Sequence, residues 1–295
     1  MNQHIAVIGG DARYLELIHQ LQTLNDTTIY IIGFDKINQG FTGLKQVEFS
    51  DLEVDQLDAV VLPITGTDEN GNVETVFSDH TIQLTEDWFS QLRKNTMIFT
   101  GIANDYLEKV SAHGNLSLIP LLDRDDVAIY NSIPTAEGTI MMAIEHTDYT
   151  IHDSRVIVTG FGRVGHTVSN KFSALGAKVS VASNSIKELA RITEMGLEAI
   201  PLKDLHYYTH RCDILINTIP AHVITKKSIQ HLPTHALIYD LASKPGGTDF
   251  DYAEQRGIKA ILAKSLPGVV APKTAGKIIA DVIIQFMEDG KELTV

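Results

Sequence analysis

The sequence predicts an α/β protein of two doubly wound domains, each built on a parallel sheet. Three observations carry that prediction. Short Val/Ile/Leu-rich runs alternate with helical patterns along most of the chain. The runs are almost continuously apolar, as strands buried on both faces of a parallel sheet must be. They fall into two series, and each series opens with a strand, a glycine-rich turn and a helix.

In the first series the strand candidates are residues 4–9, 28–33, 58–64, 96–101 and 116–122. In the second they are 155–160, 178–183, 198–202, 213–219, 236–242 and 259–264. Helices fit between them, as in "ARYLELIHQLQTL", "TEDWFSQLRK", "NDYLEKVSAHG" and "SIKELARITEMG". The first domain, Rossmann- or flavodoxin-like, is placed at 1–130. A connecting helix is placed at 131–150 and the second domain at 151–271. The amphipathic segment 272–290 is expected to pack back on the first domain. The polar stretch 65–81 reads as a hairpin or flap with Asn70-Gly71 as its tight turn, and is taken for a solvated loop.

Composition narrows the function classes. Hydrophobic residues make up 44% of the 295 and charged residues 21%, which fits a packed globular chain. The formal charge is −13 with no basic block, so no nucleic-acid partner is expected. A single cysteine, Cys212, precludes an internal disulfide. No secretion signal and no membrane-length apolar run is read, so the expectation is a soluble cytoplasmic protein.

The richest motif is "VTGFGRVG", which places Gly160, Gly162 and Gly165 as GxGxxG between a strand and a helix. That context marks a Rossmann dinucleotide site. Gly160 serves the tight turn, Gly162 lets the backbone approach a pyrophosphate, and Gly165 allows close helix–strand packing. Arg163 and Val164 sit in the phosphate turn, where the helix N-terminus favours an anion. The next strand ends on Ser183, Asn184 and Ser185, where NAD binding calls for a carboxylate. With no acid there, and Arg191 in the following helix, NADP is expected over NAD. Thr218, Pro220, Asp240, Ala242 and Ser243 lie at later strand ends and are expected to line the nicotinamide side.

The first domain has "GGDAR" at its turn and lacks the third glycine, so no second nucleotide is expected. Ligands gather at the carboxyl ends of parallel strands, so its turn is expected to face the cleft between the domains. Asp11 and Arg13 are candidate substrate contacts, with a plain ion pair as the other reading. Lys273, in the first turn of the last helix, is a candidate for a carboxylate. His206 and His210 share a face if their segment is α-helical, with Cys212 nearby, but a third metal ligand is lacking and no metal is expected. Without HExxH, CxxC or GxSxG, hydrolase chemistry has no support.

Taken together, "IAVIGGDAR", "GFDKINQGFTG", "RDDVAIYNSIPTAEGTIMMAIEHTDYTIH", "ARITEMG", "DLASKPGGTDFDYAEQRGIKA" and "LPGVVAPKTAG" resemble the A-subunit family of bacterial dipicolinate synthase, in order and over nearly the whole chain. The resemblance implies an NADP-dependent, two-domain dehydrogenase acting on a CH–CH group. With a smaller, flavoprotein-like B-subunit it would oxidise dihydrodipicolinate to dipicolinate in the mother cell during sporulation. A homo-oligomer is expected. Gly160, Gly162, Arg163, Val164 and Gly165 match the family's nucleotide turn, and Ser183, Asn184 and Ser185 its adenosine end. Asn184 departs, because an arginine is the more familiar NADP partner. Arg13 and Lys273 are the expected carboxylate contacts, with Asp240 the candidate proton acceptor.

Two other readings stay open. D-2-hydroxyacid dehydrogenases share the architecture but need an arginine after strand 236–242 and a histidine near the last helix. This chain reads "DLASKPGG" and "KSLPGVVAPK" there. A non-catalytic NADP-binding sensor or scaffold is the third reading.

Overall fold

The structure is a computed structural model that describes residues 2–37, 43–243 and 245–289. Of the segments that carry the resemblance, positions 38–42 and Lys244 lie outside the described residues, as does position 290 of the expected last helix. The chain divides into two compact units, Met1–Ala128 with Ala271–Val295, and Ile129–Val270.

The first unit runs β1 (Gln3–Ile8), α1 (Arg13–Leu21), β2 (Thr27–Ile32), β3 (Lys45–Gln46), β4 (Ala59–Val61), β5 (Asn72–Val73) and β6 (Ile82–Gln83). It continues with α2 (Glu86–Ser90), β7 (Met97–Thr100), α3 (Asp105–Gly114) and β8 (Ser117–Pro120). Its parallel sheet has the order β3-β2-β1-β4-β7-β8. Side chains alternate across β1. Ile5 and Val7 join one core, and Ala6 and Ile8 the other. The first core is closed by α1 and by α10 (Pro272–Asp289), through Ile279, Ile283 and Phe286. The second is closed by Trp88 and Phe89 of α2 and Leu107 and Val110 of α3.

A long helix, α4 (Asp125–His146), carries the chain into the second unit. It starts and stops earlier than the expected 131–150. There follow β9 (Arg155–Thr159), α5 (Arg163–Ala174), β10 (Lys178–Ser183), α6 (Ile186–Glu194), β11 (Glu198–Pro201) and β12 (Ile214–Asn217). Then come α7 (Lys226–Ile229), β13 (Leu237–Asp240), α8 (Phe250–Gln255), β14 (Lys259–Leu262) and α9 (Leu266–Val270). This parallel sheet repeats the first topology, β11-β10-β9-β12-β13-β14. The strand order reverses at β9, which places a crevice outside the carboxyl ends of β9 and β12.

Three expectations are corrected. The first sheet gains β3, a two-residue edge strand with both residues exposed, too short and polar to leave a pattern. The stretch 65–81 forms the expected hairpin, with Asn70 and Gly71 in its turn, but it is more than a solvated loop. It pairs β5 with β6 and returns over the first glycine turn, where the Gly10 N–H donates to the Glu74 carbonyl at 2.9 Å and Val76 N–H donates back to Gly10. Its turn spans Asp68 to Gly71, and Asp68 Oδ1 accepts the N–H groups of Asn70 and Asn72. Finally, His206 and His210 lie in 3₁₀ turns (Leu202–Tyr207 and Thr209–Arg211), so their spacing does not put them on one face. Among the described residues no metal-ligand cluster forms, and no helix is long and apolar enough to cross a membrane.

Candidate nucleotide-binding site

The glycine turn has the geometry its residues predict. Gly160 sits at φ +92°, which disfavours any side chain. A Cβ there would press on the Thr218 hydroxyl, and a Cβ on Gly165 would collide with the Gly160 carbonyl. Gly162 differs, because a Cβ on it would meet nothing within 4 Å. It is the N-cap of α5 and, as a glycine, offers no side-chain acceptor to the start of that helix. Arg163 and Val164 begin that helix, Arg163 exposed and Val164 packed against the core.

The adenosine end departs from expectation. Ser183 is 3% exposed, and its hydroxyl donates to Glu188 Oε2 at 2.5 Å while accepting the Ser185 N–H at 3.0 Å. Ser185 in turn accepts the Glu188 N–H as the N-cap of α6. The reading that no carboxylate stands here is therefore wrong. Glu188 reaches back from the third helical position as a capping box does, with Ser183 interposed. The Ser183 hydroxyl is already committed and is not available to a phosphate. A cavity of about 400 Å³ adjoins this relay, lined by Phe161, Ser185, Lys187, Glu188, Ala190, Arg191 and Glu194. Arg191 is exposed and pairs with Glu194 at 2.9 Å, Lys187 and Asn184 are exposed, and Lys187 is a residue the sequence reading missed.

The carboxyl ends of β9, β12 and β13 are tied by a buried polar network. Thr159 donates to Asn217 Oδ1 at 2.7 Å, and Asn217 Nδ2 donates to Asp240 Oδ1 at 2.9 Å. Asp240 Oδ1 also accepts the Ala242 N–H, while Oδ2 accepts the Gly247 N–H at 2.8 Å and the Thr248 hydroxyl at 2.7 Å. Asp240 is fully buried with two donors on each oxygen. This overturns its role as proton acceptor: the carboxylate is a structural anchor with its lone pairs filled. The network fixes Thr218, whose hydroxyl donates to the Thr159 carbonyl, and positions exposed Pro220, buried Ala242 and exposed Ser243. Asn217 and Thr248 were not singled out from sequence, because neither a polar side chain on the apolar strand β12 nor one in the loop before α8 carries a periodic signal.

In the first unit the helices α1 and α10 start side by side. A Cβ on Gly276 would strike the Arg13 carbonyl, and the other end of α10 reaches the start of β1, where Gln3 donates to the Met287 carbonyl. The two helices thus run the same way, with both N-termini at the carboxyl end of the sheet. Arg13, only 9% exposed, is not a free cation. Its Nε and Nη2 grip Asp11 in a bidentate pair, Nη2 to Oδ2 at 2.5 Å. Burial alone would raise the Asp11 carboxyl, but the hydrogen bonds and charge of Arg13 outweigh it and hold the group below the ordinary carboxylate range. Lys273 is exposed and has no ion pair among the described residues. A second cavity, about 520 Å³, lies at the amino ends of β9 and β10, away from the glycine turn. Cys212 borders it, 1% exposed, its thiol pushed up by burial and so unreactive.

The model of the dipicolinate synthase A-subunit N-terminal domain family matches residues 4–122. That of the D-isomer specific 2-hydroxyacid dehydrogenase NAD binding domain matches 134–242. The second unit is thus an NAD(P)-binding, dehydrogenase-type domain, shared with the runner-up class. The chain is 49% identical over 292 residues to the dipicolinate synthase A-subunit of Bacillus subtilis (strain 168), covering 97% of this chain and 98% of the relative. The crystal structure of the dipicolinate synthase A-subunit from Bacillus halodurans superposes with a TM-score of 0.94 at 49% identity, over 97% of this chain and 98% of that one. That of the Bacillus subtilis protein gives 0.93 at 48% identity, over 98% and 97%. With its fold, its glycine turn and its full-length similarity in agreement, this chain belongs to the dipicolinate synthase A-subunit family.

Proposed function

We propose that this chain is the dehydrogenase component that oxidises dihydrodipicolinate to dipicolinate with NADP, acting with a B-subunit in the cytoplasm of the mother cell during sporulation. The observation that carries the reading is the clear space beside Gly162, the N-cap of α5, in a chain 49% identical to a dipicolinate synthase A-subunit. That the relative is named as one of an enzyme's subunits supports a second chain.

A nicotinamide nucleotide, when bound, accepts the hydride removed from the ring. The chain's own residues hold and orient. Main-chain N–H groups at Gly162, Arg163 and Val164 receive the pyrophosphate. Lys187 and Arg191 take the 2′-phosphate at the mouth of the cavity beside Ser185. Thr218, Pro220, Ala242 and Ser243 border the nicotinamide. Lys273, with the first turn of α10, holds one substrate carboxylate; Arg13, through the N–H groups that Asp11 leaves, holds the other. Loss of the ring proton goes to water, since aromatisation supplies the drive and Asp240 has no vacant lone pair. Hydroxy-acid oxidation is disfavoured because the segments after β13 and before α10 lack the arginine and histidine it needs. The test is spectrophotometric: dihydrodipicolinate and NADP with each of the two chains singly and with both together.

A further inference from the structure

We propose that the cavity at the amino ends of β9 and β10 is a second ligand site, separate from the glycine turn, and that it takes a nucleoside monophosphate. The site stands apart from the reaction proposed above.

The register of the sheet builds its charged side. Arg155 opens β9 and Lys178 opens β10, and the two are register partners on adjacent parallel strands. Register partners project from the same face about 4.8 Å apart. Two positive charges thus stand side by side at the edge of the sheet, where like charges repel. A third cation, Arg211, ends the 3₁₀ turn Thr209–Arg211 that walls the same cavity. All three are exposed. Among the described residues only Lys178 has a carboxylate partner, Asp153 at 2.9 Å. Asp213 stands beside Arg155 along the main chain, but its carboxylate accepts the Arg155 N–H and meets His235 at 3.0 Å. In a chain of formal charge −13, three cations around one cavity, two of them without a counter-ion, favour an anion.

The rest of the cavity sets the class of ligand. Its volume of about 520 Å³ is that of a small-molecule site and far more than a bare phosphate fills. Ile157, Leu197 and half-buried Tyr208 give it an apolar lining. Glu198 opens β11, two strands from Arg155 and so about 10 Å away across the sheet. Its Oε2 accepts the Ser180 hydroxyl at 2.5 Å, and Oε1 has no partner among the described residues. A ligand matched to this arrangement carries an anion at one end, a hydrogen-bond donor at the other and a ring between them. Inorganic phosphate has only the first. A nucleoside monophosphate has all three: a phosphate for Arg155, Lys178 and Arg211, a ring for Tyr208, and a base or ribose donor for Glu198.

The experiment is calorimetry and hydrogen exchange on the full chain with adenosine monophosphate. Its dissociation constant is expected to be at least about tenfold lower than that of inorganic phosphate or of adenosine. It is expected to protect main-chain N–H groups within 196–212. Arg155→Ala combined with Arg211→Ala is expected to raise the constant at least about tenfold and to remove that protection. The melting temperature should stay unchanged, because both side chains are exposed. Gly162→Ala is expected to leave the protection of 196–212 in place. Should the double variant not fold, Arg211→Glu alone reverses one charge at the cavity and is expected to have the same effects. No binding at millimolar concentrations overturns the proposal. So does protection confined to 160–167, which would put adenosine monophosphate at the glycine turn and leave the reading of that turn intact. Inorganic phosphate bound as tightly as adenosine monophosphate would show a cluster of surface cations only, and the proposal would be wrong.

Discussion

The hydroxyl of Ser183 donates to the carboxylate of Glu188 at 2.5 Å, and a hydroxyl so committed leaves the proposed NADP preference to other residues. A serine bound to a carboxylate and to the Ser185 N–H does not turn to a phosphate. The cations beside the same cavity are Lys187 and Arg191. Replacing both with alanine is expected to weaken NADP binding about tenfold or more, roughly 1.4 kcal/mol, and to leave NAD unchanged. Calorimetry with both nucleotides measures it. An undiminished preference for NADP would place the 2′-phosphate elsewhere.

Gly162 and Gly165 separate binding from folding. Gly162→Ala adds a methyl group to open space at an ordinary φ of −75°, so the melting temperature is expected to stay unchanged. On the proposed reading the methyl would stand in the way of the pyrophosphate, and nucleotide affinity is expected to fall at least about tenfold. Gly165→Ala drives a Cβ into the Gly160 carbonyl, and is expected to lower both the melting temperature and the affinity. Equal stability in the two variants would contradict this account of the turn.

Asp240→Asn tests the anchor against the base. An amide presents one acceptor oxygen to the four donors that now surround the carboxylate. The loss is expected to be on the order of 1.5–3 kcal/mol of stability, read by chemical denaturation. The pH profile of turnover of the folded variant is expected to keep its shape. A lost ionisation in that profile would restore Asp240 as the proton acceptor.

Arg13 and Lys273 are expected to behave differently. Lys273→Ala removes an exposed side chain, so stability should move by less than about 0.5 kcal/mol while turnover with the B-subunit falls about tenfold. Arg13→Ala also strands the half-buried Asp11. Because the folded pKa of Asp11 is depressed, the stability it contributes is fully present above the unfolded value near 4. That contribution disappears as pH falls through the lowered folded value. Thermal melts should therefore show the cost of Arg13→Ala at neutral pH and its shrinkage in acid. A cost that grows on acidification would mean the pair does not stabilise the fold.

Legibility followed the length scale of the signal. The continuous apolar runs of β1, β9, β12 and β13 are buried on both faces, so each announces itself over four or more residues. The glycine turn was equally plain, since Gly160 is held at a positive φ and a Cβ on Gly165 would strike the Gly160 carbonyl. What stayed hidden depends on atoms brought together from afar. Thr248 reaches Asp240 only once Gly247 has turned the chain, and Glu74 covers Gly10 only once the flap has folded back. The Ser183–Glu188 pair stands between. Its "SIKE" capping pattern at 185–188 was visible, but its consequence for the hydroxyl of Ser183 was a matter of geometry.

The most direct test of the central claim is the oxidation of dihydrodipicolinate by the reconstituted pair. Wild-type chain, B-subunit and NADP are expected to generate NADPH and dipicolinate in equal amounts. Gly162→Ala in place of wild type should cut that rate at least about tenfold through its weaker hold on the nucleotide. Nucleotide binding without any turnover of dihydrodipicolinate in the presence of the B-subunit would contradict the account, and would make this chain a sensor rather than a dehydrogenase.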